Sequence, residues 1–193
     1  MAAPVCILTC SPRRGGNSDT AAAWLRTAFS LPAEVLRVAD KAVHPCVSCG
    51  YCAERPGSCV LDGPEDGAFS LLKALTAAPA ACLVSPIYFY HLPAQAKALI
   101  DRCQRFWTGV PPGRGTPFGA VLLAGRPQGE RLFQGAELTL RFMAHTLGLK
   151  PVPPLCLYGV DAPDALAGRT ELRERIRNYA AELEALAGHG RSF

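Results

Sequence analysis

Short apolar runs separated by helix-like segments are the feature that most limits how this chain can fold. Val5-Cys6-Ile7-Leu8-Thr9-Cys10 carries no charge and stops at Ser11-Pro12. Such a run reads as a strand buried on both faces, and strands of that kind belong to parallel sheets. Ala33 to Val38, Ala80 to Ser85, Phe118 to Ala124 and the stretch Pro151 to Tyr158 supply four more. Between them the apolar period changes to that of a helix. Ala21, Trp24, Leu25, Ala28 and Phe29 share a face behind an N-cap at Asn17 or Ser18. A helix from about Glu65 to Leu75 points Phe69, Leu72 and Leu75 inward, and one from Pro93 to about Trp107 carries Ala96, Leu99, Ile100 and Cys103. Leu132 to Leu147 ends at Gly148, and Asp164 to Ala187 closes the chain as an amphipathic helix. Parallel neighbours need right-handed crossovers, so this alternation predicts a doubly wound, five-stranded α/β fold of three layers, α/β/α, with strand order 2-1-3-4-5. Ligands of such sheets bind beyond the carboxyl ends of strands one, three and four, where the order reverses.

Length and composition set the function classes. At 193 residues one domain is expected over 1–193, with a cysteine-rich loop at 43–61, and 49% hydrophobic against 19% charged residues excludes a largely disordered chain. The net charge of +4 is too small and too dispersed for a nucleic-acid binder and suits a small anionic ligand. Ala74 to Ala96 lacks Asp, Glu, Lys and Arg, but Pro79, Pro86 and Pro93 interrupt it, so no membrane span is expected. The apolar run at Val5 is short and its first cation, Arg13, follows it, which gives no secretion signal and an expected cytoplasmic location.

Three loops fall at the ligand-binding edge. Ser11-Pro12-Arg13-Arg14-Gly15-Gly16-Asn17-Ser18 offers hydroxyls, guanidinium groups and flexible glycines at a helix start, which suits a terminal phosphate. Neither a Walker A lysine nor a G-x-G-x-x-G pattern is present, which disfavours nucleoside triphosphates and dinucleotides. The plainer alternative is a polar turn before a capped helix. Ser85-Pro86-Ile87-Tyr88-Phe89-Tyr90-His91 sets aromatic faces beside a rigid turn, as a planar heteroaromatic ring needs, or else it is core and interface material. Ala124-Gly125-Arg126 follows strand four. Gly125 permits close backbone approach, and Arg126 either offsets negative charge on a reduced ring or is simply solvated.

The nine cysteines are too few for a secreted disulfide scaffold and odd in number, which fits thiols in a reducing compartment. Cys46, Cys49, Cys52 and Cys59 stand apart from the isolated ones. Three thiols within seven residues and a fourth seven positions later is spacing of the kind that holds a 4Fe-4S cluster. Zinc is a rival, although its motifs usually separate two C-x2-C pairs; a metal-free, redox-active loop is another.

These motifs together carry a family resemblance. Ser11-Pro12-Arg13 with Gly16-Asn17-Ser18, Ser85-Pro86-Ile87-Tyr88-Phe89, and Ala94-Gln95-x-Lys97-x-x-Ile100-Asp101-Arg102 resemble the NADPH-dependent FMN reductase family. Within it, Cys46-x2-Cys49-x2-Cys52-x6-Cys59 resembles the iron-sulfur flavoproteins. The resemblance implies a flavodoxin-like fold with non-covalent FMN. Ser11, Arg13, Gly16, Asn17 and Ser18 would surround the phosphate, and Pro86, Ile87, Tyr88, Phe89, Ala124 and Gly125 would line the isoalloxazine. It also implies an oxidoreductase that takes electrons from NAD(P)H or a ferredoxin-type donor and gives them to a small acceptor, assembled as a homodimer or homotetramer. The alternative is an electron carrier without a substrate of its own, its cysteine loop unmetallated or zinc-bound. Tyr90 stands where the family usually has a small residue, and Asp62-Gly63-Pro64-Glu65-Asp66 replaces the adjacent acidic pair and Met seen in many relatives.

Overall fold

A computed structural model describes residues 3–189. In chain order its elements are β1 (Val5–Thr9), α1 (Asn17–Ala28), β2 (Ala33–Arg37), α2 (Tyr51–Glu54), α3 (Ala68–Ala77), β3 (Ala81–Pro86), α4 (Ala94–Asp101), β4 (Pro117–Leu123), α5 (Gln134–Thr146), β5 (Lys150–Pro151), β6 (Leu155–Leu157) and α6 (Thr170–His189). All strand pairs are parallel, in the order β2-β1-β3-β4-β5. The expected order 2-1-3-4-5 is present, with the flavodoxin-like three layers. The fifth position, however, is held by two short pieces, since β6 also pairs with β4. Val152-Pro153-Pro154 separates them, because proline has no N–H for a ladder.

The alternation of side chains along β1, β3 and β4 divides the interior into two cores. Cys6, Leu8, Leu83, Phe118, Ala120 and Leu122 face one core, together with α3, α4 and α5. Val5, Ile7, Cys82, Val84, Val121 and Leu123 face the other, with α1 and α6. Every residue of β1 and β4 is buried, as is all of β3 except Pro86, so these strands have no solvent face.

Several helix boundaries differ from the expected ones. The segment from Pro93 runs as α-helix only to Asp101 and continues as a 3-10 turn over Arg102–Phe106. There Arg102 and Arg105, three apart on the tighter turn, both point inward. Phe69, expected inside, is 45% exposed, with the Arg105 guanidinium over its ring. Helix α6 begins at Thr170, six residues after Asp164, since 162–169 is held in turns.

One tyrosine ties α6 to the sheet at the split edge. The Tyr179 hydroxyl accepts the Ala120 N–H at 3.0 Å and donates to the Pro153 carbonyl at 2.9 Å, replacing the partners that the interrupted fifth strand does not supply. Burial pushes its pKa up. Gly119 makes room for it: a Cβ there would lie 2.6 Å from the hydroxyl. Tyr179→Phe strands a buried donor and an acceptor, an expected cost of about 1–3 kcal/mol that thermal unfolding should show as a fall of roughly 2–10 °C in Tm.

Candidate functional site

The carboxyl ends of β1, β3 and β4 lie side by side, and each runs into one of the three loops. The first is braced from outside. Arg37, at the end of β2, donates to the Ser11 and Arg13 carbonyls at 3.4 and 3.2 Å and pairs with Asp19, whose carboxylate accepts the Gly15 N–H at 2.6 Å. The Ser11 hydroxyl closes the turn onto the Arg13 backbone. Gly16 is the N-cap of helix α1 and provides no side-chain cap. Gly16 O takes the Asp19 and Thr20 amides, and those of Asn17 and Ser18 find no acceptor among the described residues. The Arg13 guanidinium folds back over this helix start: a Cβ on Gly16 would lie 3.1 Å from its Nε. Arg13 makes no ion pair among the described residues. Amides without an acceptor, a hydroxyl and a guanidinium without an ion partner among the described residues meet at one helix N-terminus, a combination that suits an anion.

Asn17 does something the sequence did not disclose. Its Nδ2 donates to the Ala162 carbonyl at 2.6 Å and its Oδ1 accepts the Leu166 N–H at 3.1 Å. The side chain therefore fastens the segment after β6 to the first turn of α1, and only its backbone N–H remains for an anion.

The second loop leaves β3 at Pro86. Ile87 N–H bonds to Leu123 O at 2.8 Å, and Tyr88 and His91 exchange both backbone hydrogen bonds around Phe89 and Tyr90. Both central residues have positive φ, +50° and +62°, the geometry of a type I′ turn, which usually takes Asn and Gly. Two side-chain contacts hold it, Tyr90 Oη to Arg126 and His91 Nε2 to Thr139 Oγ1 at 3.0 Å. Phe89 stands at the tip, fully exposed.

The third loop turns at Gly125, where a Cβ would come within 2.6 Å of Asp161 Oδ1. Between the three loops lies a cavity of about 330 Å³. Of the residues expected there, Ser11, Arg13, Asn17, Ser18, Pro86, Ile87, Tyr88 and Gly125 line it. Gly16 does not line it but lies under the Arg13 guanidinium, Ala124 is buried in the core, and Phe89 is fully exposed. Leu123, Val160 and Asp161 complete the wall and were not foreseen.

The cysteine loop is held by two buried arginines. Arg102, with no exposed side-chain surface, donates to Asp66 at 2.6 Å and to the His44 carbonyl at 3.1 Å. Arg105 grips Asp62 with two nitrogens, at 2.7 and 2.5 Å, and the Gly57 carbonyl at 2.8 and 2.6 Å. Burial alone would raise the Asp66 pKa, but hydrogen bonds from Arg102 and from the Ala68 and His44 amides, with the Arg102 charge, hold it below the ordinary carboxylate value.

Cys46, Cys49, Cys52 and Cys59 do line one hollow, of about 470 Å³. Yet among the described residues no three His, Cys, Asp or Glu side chains come together closely enough to hold a metal ion. The compact four-thiolate centre expected from the spacing is not formed. Left-handed backbone at Ser48 and Gly50 turns the chain into the short α2, and Cys46 and Cys49 stay exposed while Cys52 and Cys59 are half-buried.

The sequence profile of the NADPH-dependent FMN reductase family matches residues 3–158. The chain belongs to that family. Among curated relatives, an iron-sulfur flavoprotein of Methanocaldococcus jannaschii is 32% identical over 95 residues, 48% of this chain and 47% of that protein. An iron-sulfur flavoprotein of Methanosarcina thermophila is 30% identical over 95 residues, 48% of each chain. The matches thus span about half the length of these relatives. Among solved structures, an NAD(P)H:quinone oxidoreductase from Methanothermobacter marburgensis superposes with a TM-score of 0.71 at 21% identity, covering 95% of this chain and 97% of that one. A flavone reductase gives 0.69 at 12% identity, covering 95% and 62%. At those identities the likeness is one of fold.

Two measurements check the arginine anchor. Arg102→Met leaves Asp66 buried without its partner and should destabilise the protein by about 3–5 kcal/mol, with faster hydrogen exchange over 43–61. A carboxylate held low in the folded state contributes stability above its unfolded pKa of ~3.9 and loses it as pH falls through the folded value. The stability gap between wild type and Asp66→Asn in urea should therefore be full above about pH 5 and close as the solution is acidified further.

Proposed function

We propose that FMN binds non-covalently in the cavity between the three loops and that the protein moves electrons through it. One observation carries the reading: a single cavity joins an uncapped helix start beside an unpaired guanidinium to a turn of aromatic and backbone groups. The first suits the FMN phosphate and the second a flat heteroaromatic ring. The residues fit the cofactor, which supplies hydride and single-electron chemistry when bound.

The chain's own groups then have simple tasks. The Asn17 and Ser18 amides, the Ser11 and Ser18 hydroxyls and Arg13 would hold the phosphate. Pro86 to Tyr88 and the Gly125 turn would orient the ring and keep water from one face. No side chain is assigned a proton-transfer role. NAD(P)H or a ferredoxin-type protein would serve as donor, and a small molecule or partner protein as acceptor. The absence of converging thiol ligands favours a carrier-like role with an unmetallated cysteine loop. No described helix is long and apolar enough to cross a membrane, in keeping with a cytoplasmic protein.

A second reading rests on the four thiols around one hollow: a 4Fe-4S cluster that forms only when the loop closes further. We derive no electron-transfer step through it. Self-association as a dimer or tetramer is supported by the exposed Tyr88, Phe89, Tyr90, Trp107, Leu138 and Phe142. Phe106, next to the exposed Trp107, is buried and does not belong to that surface.

Purified protein should release FMN and no FAD on denaturation; a protein that neither carries nor takes up FMN ends the proposal. Arg13→Ala should weaken FMN by about tenfold or more and leave riboflavin, which lacks the phosphate, unchanged. Iron and sulfide analysis after anaerobic preparation should find neither bound to the loop; about four of each per chain would establish the second reading.

A further inference from the structure

The cavity contains one acidic side chain that the phosphate site does not explain. Asp161 lines it, yet its carboxylate has no hydrogen bond and no ion pair among the described residues. Arg13 lines the same cavity and likewise has no ion pair among the described residues, so neither charge is neutralised by the other.

Asp161 is fixed in place by its neighbours on both sides. Val160 N–H bonds to Ala124 O at 2.9 Å, Gly159 N–H bonds to Arg126 O at 2.9 Å, and the Asn17 amide clasps Ala162 and Leu166. The side chain itself is packed against the Gly125 backbone, where any other residue would collide with it at 2.6 Å. A carboxylate in this setting accepts hydrogen bonds and repels anions. It therefore calls for a ligand with an anionic end and, a short way along, neutral O–H or N–H donors.

We propose that Asp161 is a specificity-determining residue that accepts a hydrogen bond from the polyol chain of the flavin. This rests on the FMN reading above and deepens it. Asp161 precedes the Ala162 carbonyl, which is bonded to the first residue of α1, so the carboxylate stands close to the anion end of the cavity. In FMN the hydroxyls of the ribityl chain follow directly on the phosphate, before the ring. Arg13 and the helix start thus select the anionic end, and Asp161 selects the donor-bearing segment next to it. The pair fixes the direction in which the ligand enters.

The experiment compares FMN, riboflavin and lumiflavin, which carry respectively phosphate and polyol, polyol alone, and neither. Dissociation constants are measured by flavin fluorescence on wild type, Asp161→Asn and Asp161→Ala. Asp161→Ala removes the acceptor and is expected to weaken FMN and riboflavin by about tenfold each, Asp161→Asn keeps an acceptor oxygen without the charge and weakens them less, and lumiflavin is unchanged in both. Because the ratio between ligands is read within one protein, a partly destabilised fold does not imitate that pattern. Unchanged constants for FMN and riboflavin overturn the proposal. Tighter FMN in the variants overturns it as well, since Asp161 would then only repel the phosphate. Equal losses for all three ligands also refute the polyol contact. Failure of wild type to bind FMN, by contrast, removes the cofactor reading itself.

Discussion

The three central strands have no face to give to water, and much else in the molecule follows from that. With helices on both sides, β1, β3 and β4 satisfy their backbone only along the ladder and must all run the same way. Their carboxyl ends then stop at one edge. Loops that lie far apart in the chain, after Thr9, Pro86 and Leu123, become neighbours there because the strands that carry them are neighbours. A cavity at that edge is a product of topology before it is a product of side chains.

What side chains add is bracing. Arg37 holds the first loop from the neighbouring strand, Asn17 holds the segment beyond β6, and the Tyr90 and His91 side chains tie the second loop to Arg126 and Thr139. On another part of the surface Arg102 and Arg105 perform the same service for the cysteine loop, which has little apolar burial to order it. Buried guanidinium groups suit this task because each reaches several carbonyl and carboxylate oxygens from one point.

The strands and their order were legible because uninterrupted apolar runs and helical periodicity are local signals. The first loop was legible as a candidate for an anion because its hydroxyls, glycines and guanidinium groups sit together in sequence. Contacts across long separations were not. Asn17 meets partners 145 and 149 positions away, so nothing near it shows that its amide is already engaged. Asp161 and Val160 enter the cavity from the same distant segment. Periodicity placed Phe69 inside, but it cannot register that Arg105 lies over the ring and makes an exposed position tolerable. The cysteine spacing read as four converging thiolates; the four line one hollow, but among the described residues no three of them stand close enough to share a metal ion.

The turn at Phe89 and Tyr90 has a consequence for association. Two residues with side chains occupy backbone conformations that glycine would take at less cost, on the order of 1–3 kcal/mol each, and the turn is clamped at both ends. Phe89 is therefore displayed on a backbone that has already surrendered its freedom. A flexible loop loses conformational entropy when it docks; this one has lost it during folding. Whatever surface receives that ring keeps more of the free energy of contact, and it meets the ring at a defined angle.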